Sequence, residues 1–396
     1  MPRSPHATAP RADRAYLVAA DTRGALLPVA ESLGELAELA RTAGAEVAGS
    51  TSQRLDHPHV ATYVGKGKVE EVREAAHEAG ANVVIFDDEL SPSQQRNLER
   101  ALGMKVIDRT ALILDIFATR AQTREGRLQV ALAQMQYLLP RLAGQWSHLE
   151  RMEGAIGTRG PGETQIETDR RLIRSRISKI RRDLESVRQQ RSLYRRQRQR
   201  AGMPVVALVG YTNAGKSTLM RALSGADVLA ENRLFATLDP VTRRLRLPTG
   251  ETVLLTDTVG FIQKLPTELV AAFRATLEEL EEADLLLHVL DVAHPSSSEH
   301  ARTVEATLSE LGVAGKPILL ALNKVDLLLN EDGSRVTTYA GAKAALASAG
   351  RSARGGVPVS AQNRWGLDEL LQRIGDGLDG GLETDAAAGV ELSSAR

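Results

Sequence analysis

One nine-residue run constrains the fold of this chain more than any other part of the sequence. Residues 210–218 read Gly-Tyr-Thr-Asn-Ala-Gly-Lys-Ser-Thr, which contains the full spacing GxxxxGK[ST]. Apolar residues 205–209 precede the run and helix-compatible residues follow it, so it is expected to join a strand to a helix. Glycines there let backbone N–H groups surround phosphate oxygens, and the helix N-terminus adds partial positive charge. The spacing predicts a phosphate-binding loop in an α/β fold.

The residues of this loop have separate expected tasks. The Lys216 ammonium would reach the β- and γ-phosphates of a nucleotide, and the Ser217 hydroxyl would bind Mg²⁺. The remaining positions are candidate nucleotide contacts: Gly210, Tyr211, Thr212, Asn213, Ala214, Gly215 and Thr218.

A second motif is expected to complete the phosphate site. The apolar run from Leu254 ends in Asp257-Thr258-Val259-Gly260, an Asp-x-x-Gly element. Asp257 would hold Mg²⁺ through a water, and the Gly260 N–H would bond the γ-phosphate. Thr258 and Val259 are further candidate contacts.

A third motif indicates which base is bound. Residues 318–322 are apolar and lead into Asn323-Lys324-Val325-Asp326. The Asp326 carboxylate can accept hydrogen bonds from guanine N1–H and the 2-amino group, whereas adenine offers no donor there, and a site of this kind rejects the wrong ligand by roughly 10⁴-fold. The Lys324 stem would cover the base plane. A last apolar run, 357–359, leads to Ser360-Ala361, and the ordered motifs together predict GTP rather than ATP.

A switch segment is expected between the first two motifs, at residues 230–239. It ends in Phe235-Ala236-Thr237-Leu238-Asp239, just before a strand-like run at 241–247. One threonine hydroxyl from this region should complete the Mg²⁺ shell when GTP is bound. Thr237 is the first choice and Thr242 the alternative, because spacing alone does not separate them.

The expected catalytic set is Lys216, Asp257, Gly260 and Asn213. Many nucleotide hydrolases place a water-orienting Gln directly after Asp-x-x-Gly, but here that position is Phe261. Intrinsic hydrolysis is therefore expected to be slow and to need help from a partner or another group. Asn213 has two interpretations of equal weight. In some related GTPases an Asn at this place helps to hold K⁺ beside the phosphates, and a loop Asn can instead bond its own backbone.

Composition bounds the class of protein. The chain has 396 residues, enough for two or three domains, and its formal net charge is zero. It has no cysteine, which excludes disulfides and cysteine metal sites and fits a cytoplasmic protein. No apolar run approaches the ~18 residues of a membrane span, and no signal peptide is recognisable. Residues 1–14 and 378–396 are expected to be disordered, and the protein is expected to be a monomer.

Residues 15–124 alternate strand and helix patterns, which predicts a small α/β domain with a largely parallel sheet. The run Gly65-Lys66-Gly67-Lys68 lies at an expected strand-to-helix turn but lacks the full phosphate-loop spacing. A turn with a basic surface is favoured about two to one over a phosphate contact. The expected strands are 15–20, 46–50, 61–64, 82–86 and 104–107, and the expected helices are 32–43, 69–79 and 91–102.

Residues 125–200 carry two heptad seams, which predict an antiparallel helical hairpin. Pro140 should kink the first helix. The glycine-rich run 154–162 is expected to be a non-helical tip between the two helices. The first seam consists of Leu128, Leu132, Met135, Leu139, Leu142, Trp146 and Leu149, and the second of Ile166, Ile173, Ile177, Ile180, Leu184, Val187 and Tyr194.

The second helix of this hairpin is strongly basic. Residues 170–200 hold thirteen Lys or Arg and two acids, so the segment carries +11 (13 − 2) on a neutral chain. Because the seam occupies one face, the arginines should point outward, and their forked donors suit phosphate. RNA or DNA binding is favoured about three to one over docking on acidic parts of the chain itself. The candidate RNA contacts are Arg174, Arg181 and Arg188 on the helix and Gly154, Gly157, Arg159, Gly160 and Gly162 in the tip.

These residues resemble the HflX-type GTPases, bacterial proteins of the translation-factor-related class, over about residues 15–375. More specific than the nucleotide motifs are the runs at 63–68, 106–110, 154–165 and 235–239. The resemblance implies an N-terminal α/β domain, a helical hairpin, and a P-loop GTPase domain at 201–377 with a mostly parallel sheet. It also implies binding to the large ribosomal subunit and its rRNA, GTP-dependent splitting of stalled ribosomes, and Mg²⁺ ligation by Thr237.

Two other functions remain open at this point. One is an ATP-dependent RNA-remodelling or helicase-type protein that shares the phosphate loop, and the Asn-Lys-x-Asp motif argues against it. The other is a signalling GTPase that binds only proteins, and the arginine-rich helix argues against that.

Overall fold

A computed structural model of the chain describes residues 13–24, 26–142, 161–200, 202–225, 234–265, 279–349 and 356–380. These residues form two compact α/β units. The first takes in the described parts of Met1–Thr119 and Gln134–Ser178, and the second takes in Arg120–Ala133 and the described parts of Lys179–Arg396. The predicted hairpin segment is shared between the units, and the domain boundaries given above stay predictions.

The first unit is built on a four-stranded sheet of order β2-β1-β3-β4, in which all neighbouring strands are parallel. Every residue of β3 is buried, as expected for a parallel strand covered on both faces. Four of the five expected strands and all three expected helices are confirmed, and α4 is an additional helix. The strands are β1 (Arg14–Thr22), β2 (Glu46–Leu55), β3 (Val83–Phe86) and β4 (Lys105–Asp108), and the helices are α1 (Val29–Thr42), α2 (Lys66–Glu78), α3 (Pro92–Leu102) and α4 (Arg109–Arg120).

The expected strand at 61–64 is wrong. His59 and Tyr63 exchange two backbone hydrogen bonds of 2.8 Å, which closes a tight turn. Tyr63 has a φ of 63°, in the left-handed region, so the chain cannot stay extended there. The Gln94 and Asn97 side chains hold this turn by donating to its carbonyl groups. The apolar residues of this segment are therefore part of a loop.

The Gly-Lys-Gly-Lys run opens helix α2. Gly65 is the residue before its first turn, and Lys66 begins the helix. The Lys68 ammonium donates to Glu71 and to Thr51, so its charge is paired within the first unit. The run therefore opens a helix, and of its two lysines only Lys66 is exposed, so the predicted turn with a basic surface is confirmed only in part.

Two helices occupy the predicted hairpin segment, α5 (Arg124–Leu138) and α6 (Pro161–Arg200). The expected kink at Pro140 is wrong, because α5 ends before it; proline has no N–H and disfavours helical geometry at the preceding residue. The predicted tip is also too long by two residues. Pro161 and Gly162 are helical, since proline suits the first position of a helix. Residues 143–160, which hold the rest of the tip, lie outside the described residues.

The second seam is confirmed along the middle of α6. Ile177 and Leu184 are buried, while Ile173, Ile180 and Val187 are half-buried at the predicted 4-3-4-3 spacing. Helix α5 is buried on more than one stripe, because Gln129, Val130, Ala133 and Tyr137 are buried in addition to Leu132. A single heptad seam therefore describes α6 better than α5.

The second unit is built on a six-stranded sheet of order β10-β9-β8-β5-β7-β6. All neighbours are parallel except β6, which is antiparallel to β7. Leu, Val and Ile side chains form its core, and the strands expected between 205 and 359 are confirmed. The strands are β5 (Val205–Val209), β6 (Val241–Arg246), β7 (Thr252–Asp257), β8 (Leu285–Asp291), β9 (Ile318–Asn323) and β10 (Val357–Pro358), and the helices are α7 (Lys216–Ser224), α8 (Ser297–Glu310), α9 (Tyr339–Ser348) and α10 (Leu367–Leu378).

Across the described ranges, no helix combines the length and the apolar character that a bilayer span requires.

A histidine buried in an aromatic stack should make the stability of the second unit depend on pH. The His300 ring on α8 lies 3.8 Å from the Tyr211 ring with an interplanar angle of 7°. Burial, together with the charges of His294 and Lys324, lowers the pKa of His300 from 6.5 to about 3. Between these values the unfolded chain binds a proton that the folded chain does not. Stability should therefore fall as the pH falls from 6.5 towards 3.

The substitution His300→Phe tests this link. It keeps an aromatic ring against Tyr211 and removes the titrating group. The melting temperature of the variant, followed by circular dichroism, should therefore decline less than that of the wild type as the pH is lowered through this range. Identical declines in the two proteins would show that His300 contributes nothing to acid sensitivity.

Candidate nucleotide-binding site

The phosphate loop joins β5 to α7, which confirms the strand–loop–helix context. Gly210 and Gly215 have φ values of 152° and 95°, which favour glycine. A Cβ on Gly210 would overlap the carbonyl oxygen of Val289, and a Cβ on Gly215 would overlap the Asn323 side chain. Both glycines are therefore required by the close approach of the neighbouring strands to the loop.

The Lys216 side chain is buried beneath the loop. Its ammonium donates to the carbonyl oxygens of Gly210 and Tyr211 at 3.0 and 2.9 Å. Burial lowers the pKa of Lys216 to about 8, although the Asp257 carboxylate acts in the opposite direction. A Cβ on Gly260 would lie only 2.8 Å from the Thr212 backbone and 2.9 Å from the Lys216 ammonium, so only glycine fits beside them. An anion placed here would offset the cost of burying the charge.

Three oxygen-bearing side chains meet beside the first turn of α7. Ser217 Oγ lies 2.6 Å from Asp257 Oδ2 and 2.8 Å from Thr237 Oγ1, and Thr237 Oγ1 donates to the same carboxylate oxygen at 2.8 Å. Asp257 Oδ1 is buried and has no hydrogen-bond partner within the described ranges. Burial raises the pKa of Asp257, while the nearby Lys216 ammonium lowers it. Hard oxygen donors of this kind fit Mg²⁺.

The geometry separates the two threonines that spacing left open. Thr237 lies in the cluster just described, whereas the Thr242 hydroxyl is on β6 and lies 3.0 Å from the Thr256 hydroxyl. Thr237 is therefore favoured over Thr242 as the Mg²⁺ ligand.

Hydrogen bonds connect the phosphate loop to Phe261, which follows the second motif, and to Phe235 in the switch segment. The Phe261 N–H donates to Gly210 O at 3.1 Å, and the Thr212 N–H donates to Phe261 O at 2.6 Å. The Phe235 N–H donates to the Thr212 hydroxyl at 3.1 Å. The rings of Phe235 and Phe261 are both buried. Phe261 thus pairs with the loop through its backbone, and its side chain offers no group to orient water.

Asn323 holds three motifs together. Its amide nitrogen donates to Ala214 O at 2.8 Å, and its amide oxygen accepts from the Ala361 N–H at 3.1 Å. The next residue, Lys324, has a φ of 65°, and its ammonium lies 2.7 Å from Asp291 Oδ2. Asp326 is half-buried in the 3₁₀ turn Val325–Leu327. The third motif is therefore fixed to the phosphate loop by an amide and to β8 by an ion pair.

A cleft over the phosphate loop collects part of the predicted set. Asn213 lies on its wall, is exposed, and has a φ of 59°, which is compatible with both of its interpretations. The cleft is lined by Thr212, Asn213, Gly215, Lys216, Ser217, Thr218, Phe235, Ala236, Thr237, Thr258 and Gly260.

The other predicted contacts do not line this cleft. Gly210, Tyr211 and Ala214 supply carbonyl groups to Lys216 and Asn323. Leu238 is buried, and the Asp239 carboxylate accepts hydrogen bonds from the residues that precede α5. Asp257, Val259, residues 323–326 and residues 360–361 surround the loop from neighbouring strand ends.

Asp291 belongs to none of the predicted motifs. The ion pair of Asp291 with Lys324 gives it a role in positioning the third motif. A signal was present in the sequence, because Asp291 is the acid at the carboxyl end of an apolar run that had been assigned no motif.

Comparisons with known proteins find similar sequences over most of the chain. Residues 30–118 match the family described as GTP-binding GTPase N-terminal, residues 120–198 match GTP-binding GTPase Middle Region, and residues 205–324 match 50S ribosome-binding GTPase. The chain is 51% identical to a GTPase HflX of Caldanaerobacter subterraneus over 87% of its own length and 76% of that protein. It is 52% identical to the GTPase HflX of Escherichia coli over 75% of its own length and 70% of that protein. A solved GTP-binding protein from Sulfolobus solfataricus in complex with GDP is 23% identical, with a TM-score of 0.45 over 93% of this chain and 99% of that one.

The mostly parallel sheet, the phosphate loop and the order of the three motifs define a P-loop GTPase. The N-terminal α/β unit and the middle region match two further GTP-binding GTPase families. These matches and the relatives above show that the chain belongs to the HflX GTPase family, and that it binds and hydrolyses GTP.

The two threonines provide a matched test of the predicted Mg²⁺ site. Thr237→Ala should weaken Mg²⁺-dependent binding of a non-hydrolysable GTP analogue by about tenfold, because it removes one oxygen of the cluster. Thr242→Ala makes the same chemical change on β6 and should leave binding as in the wild type. Titration of a fluorescent analogue over a range of Mg²⁺ concentrations measures both. A larger loss in Thr242→Ala than in Thr237→Ala would reverse the assignment.

Proposed function

We propose that this GTPase binds the large ribosomal subunit in its GTP-bound state and thereby splits or rescues stalled ribosomes. The description 50S ribosome-binding GTPase for the family that matches residues 205–324 supports this proposal. The observation that carries it is the exposed positive charge of α6, which the family match over residues 120–198 includes.

The basic face of α6 is defined here as its exposed cationic side chains among the described residues. These are Arg171, Arg174, Arg176, Lys179, Arg181 and Arg182. Ile177 and Leu184 are buried on the same helix, so the buried seam and the charges lie on different faces. Arginine forks bind phosphate oxygens, and each neutralised phosphate releases counterions. A neutral protein with this local charge is suited to a polyanion such as rRNA.

The nucleotide site is proposed to work as follows. Lys216 and the backbone of residues 210–215 would bind the β- and γ-phosphates, and Gly260 would approach the γ-phosphate. Ser217 and Thr237, with Asp257 acting through a water, would hold Mg²⁺, which supplies positive charge to the phosphate oxygens when bound.

Base selection is proposed to rest on Asp326, with the Lys324 stem against the base plane. Asp291 would orient that stem through its ion pair with the Lys324 ammonium. The amide of Asn323 would keep this group at a fixed distance from the phosphate loop. Wild-type protein that bound ATP as tightly as GTP at this site would exclude the role of Asp326.

Hydrolysis is proposed to be slow in the free protein and faster on the ribosomal subunit. Phe261 is buried and pairs with the phosphate loop through its backbone, so a water-orienting group must come from elsewhere. Asn213 lies on the cleft wall and would hold K⁺ beside the phosphates, where the ion would add positive charge. Equal rates in potassium and sodium salts would rule out this role for Asn213.

The alternatives fit less well. An ATP-dependent RNA-remodelling enzyme would not need an acid at position 326 to accept from guanine. A signalling GTPase that binds only proteins would not need a helix face with six exposed cations, because a solvated helix usually mixes charges of both signs.

Charge reversal tests the basic face together with Arg188, the predicted RNA contact that follows it along α6. The triple variant Arg174→Glu, Arg181→Glu and Arg188→Glu should lose binding to large subunits, because each substitution replaces attraction to phosphate with repulsion. Co-sedimentation across a salt series measures this, and wild-type binding should fall with salt by a log–log slope of about 0.7 to 0.9 per phosphate contact.

A matched control keeps the same change in net charge. Arg302, Arg335 and Arg364 are exposed in the second unit, and changing all three to Glu should leave subunit binding close to that of the wild type. If the α6 variant bound subunits as tightly as the control at every salt concentration, the basic face would not be the RNA surface.

A further inference from the structure

The Asp239 carboxylate accepts hydrogen bonds at the N-terminus of α5, although Asp239 is more than a hundred residues away from that helix in the sequence. Its Oδ2 accepts from the backbone N–H groups of Gln122 and Thr123 at 2.8 and 2.9 Å, and its Oδ1 accepts from the Thr123 hydroxyl. The Thr123 hydroxyl oxygen in turn accepts from the Gly126 N–H at 2.9 Å. A carboxylate at this place satisfies donors that the helix itself cannot and interacts favourably with the helix dipole.

The first turn of α5 is shaped around this carboxylate. Gly126 lies within the helix, where alanine would be the better helix former. A Cβ on Gly126 would overlap Asp239 Oδ1 and approach the Thr123 hydroxyl. The glycine is therefore explained by the space that Asp239 occupies.

The same short segment also reaches the proposed Mg²⁺ site. Thr237, two residues before Asp239, is hydrogen-bonded to Ser217 and Asp257. Leu238 between them is buried. Two residues of extended chain span at most about 7 Å, so Thr237 cannot leave its cluster far without pulling on Asp239. The segment is thus held at both ends, on the nucleotide site and on α5.

We propose that Asp239 is a positioning residue that anchors the switch segment on the first turn of α5, so that the placement of Thr237 and the order of that turn form one linked equilibrium. GTP with Mg²⁺ draws Thr237 into its cluster and so favours the capped turn. By reciprocity, a capped turn favours GTP over GDP by the same factor. Helix α5 is the first helix of the predicted hairpin, so the nucleotide state reaches that helix directly. The inference rests on the proposed roles of Thr237 and GTP, and its test needs no ribosomes.

Two variants disturb the contact from opposite sides. Asp239→Ala removes the carboxylate, and Gly126→Ala displaces it from the helix side while raising intrinsic helix propensity. Gly34→Ala is the matched control, because Gly34 also lies in a helix and a Cβ there meets nothing within 4 Å. Asp239→Asn keeps one carbonyl oxygen that can accept a hydrogen bond and should recover part of the effect.

Two measurements on the free protein test the proposed role of Asp239. Asp239→Ala and Gly126→Ala should each weaken Mg²⁺-dependent binding of a non-hydrolysable GTP analogue by about tenfold while changing GDP affinity by less than about twofold, since only the GTP state uses Thr237. In the wild type, the amides of Gln122 and Thr123 should exchange hydrogen more slowly with the analogue than with GDP. Both variants should abolish that difference, and Gly34→Ala should preserve it.

The opposite results would overturn the proposal. Equal exchange of the two amides in both nucleotide states of the wild type would show that the capped turn does not follow the nucleotide. Equal weakening of GDP and analogue binding in both variants would reduce Asp239 to a structural helix cap. If both readouts were as expected but the wild type with the GTP analogue did not bind large ribosomal subunits, the proposed function would fail while the role of Asp239 would stand.

Discussion

The carboxyl ends of five parallel strands meet at one edge of the second unit, and the rest of the site depends on that constraint. Strands β5, β7, β8, β9 and β10 run in the same direction. Their ends carry the phosphate loop, Asp257, Asp291, Asn323 and the segment of Ser360. From Gly210 to Ser360 these residues span 150 positions of the chain. Because strand pairing fixes the strand ends, hydrogen bonds such as those of Asn323 to Ala214 and Ala361 complete the arrangement.

This edge carries buried charge. Lys216 and Asp257 are both buried, and burial lowers the pKa of the lysine and raises that of the aspartate, so each charged form is held at a cost in free energy. Their mutual attraction and the hydroxyls of Ser217 and Thr237 offset part of that cost. A phosphate anion and a Mg²⁺ ion would offset more. Perturbed groups of this kind cluster at functional sites, and here they coincide with the proposed site of GTP and Mg²⁺.

Sequence patterns predicted most of the architecture, since period and motif order are local properties. The strands around the phosphate loop follow from apolar runs, and the α6 seam follows from heptad spacing. The turn at 61–64 was misassigned because its apolar residues resemble a strand, and only the left-handed Tyr63 and the bonds from α3 make it a turn. Pro140 was misjudged because a proline can either bend a helix or end it, and spacing does not decide between these.

Contacts between residues that are far apart in the chain could not be predicted from one sequence. Thr237 and Thr242 are equivalent in spacing, and only the antiparallel pairing of β6 places Thr242 against Thr256. Asp239 was expected at the nucleotide, but its partners are Gln122 and Thr123, whose distance in the sequence gives no sign of contact. Asp291 was missed for the same reason, because an isolated acid acquires meaning only from the lysine that it meets.

Gradient sedimentation of the wild-type chain with intact ribosomes, in the presence of a GTP analogue, GDP or an ATP analogue, shows whether ribosome binding and splitting follow GTP. The chain is expected to travel with the large subunit only with the GTP analogue, and intact ribosomes should then be converted into separate subunits. Equal association in all three nucleotides, or ribosomes that stay intact while the GTP-bound chain is attached, would contradict it.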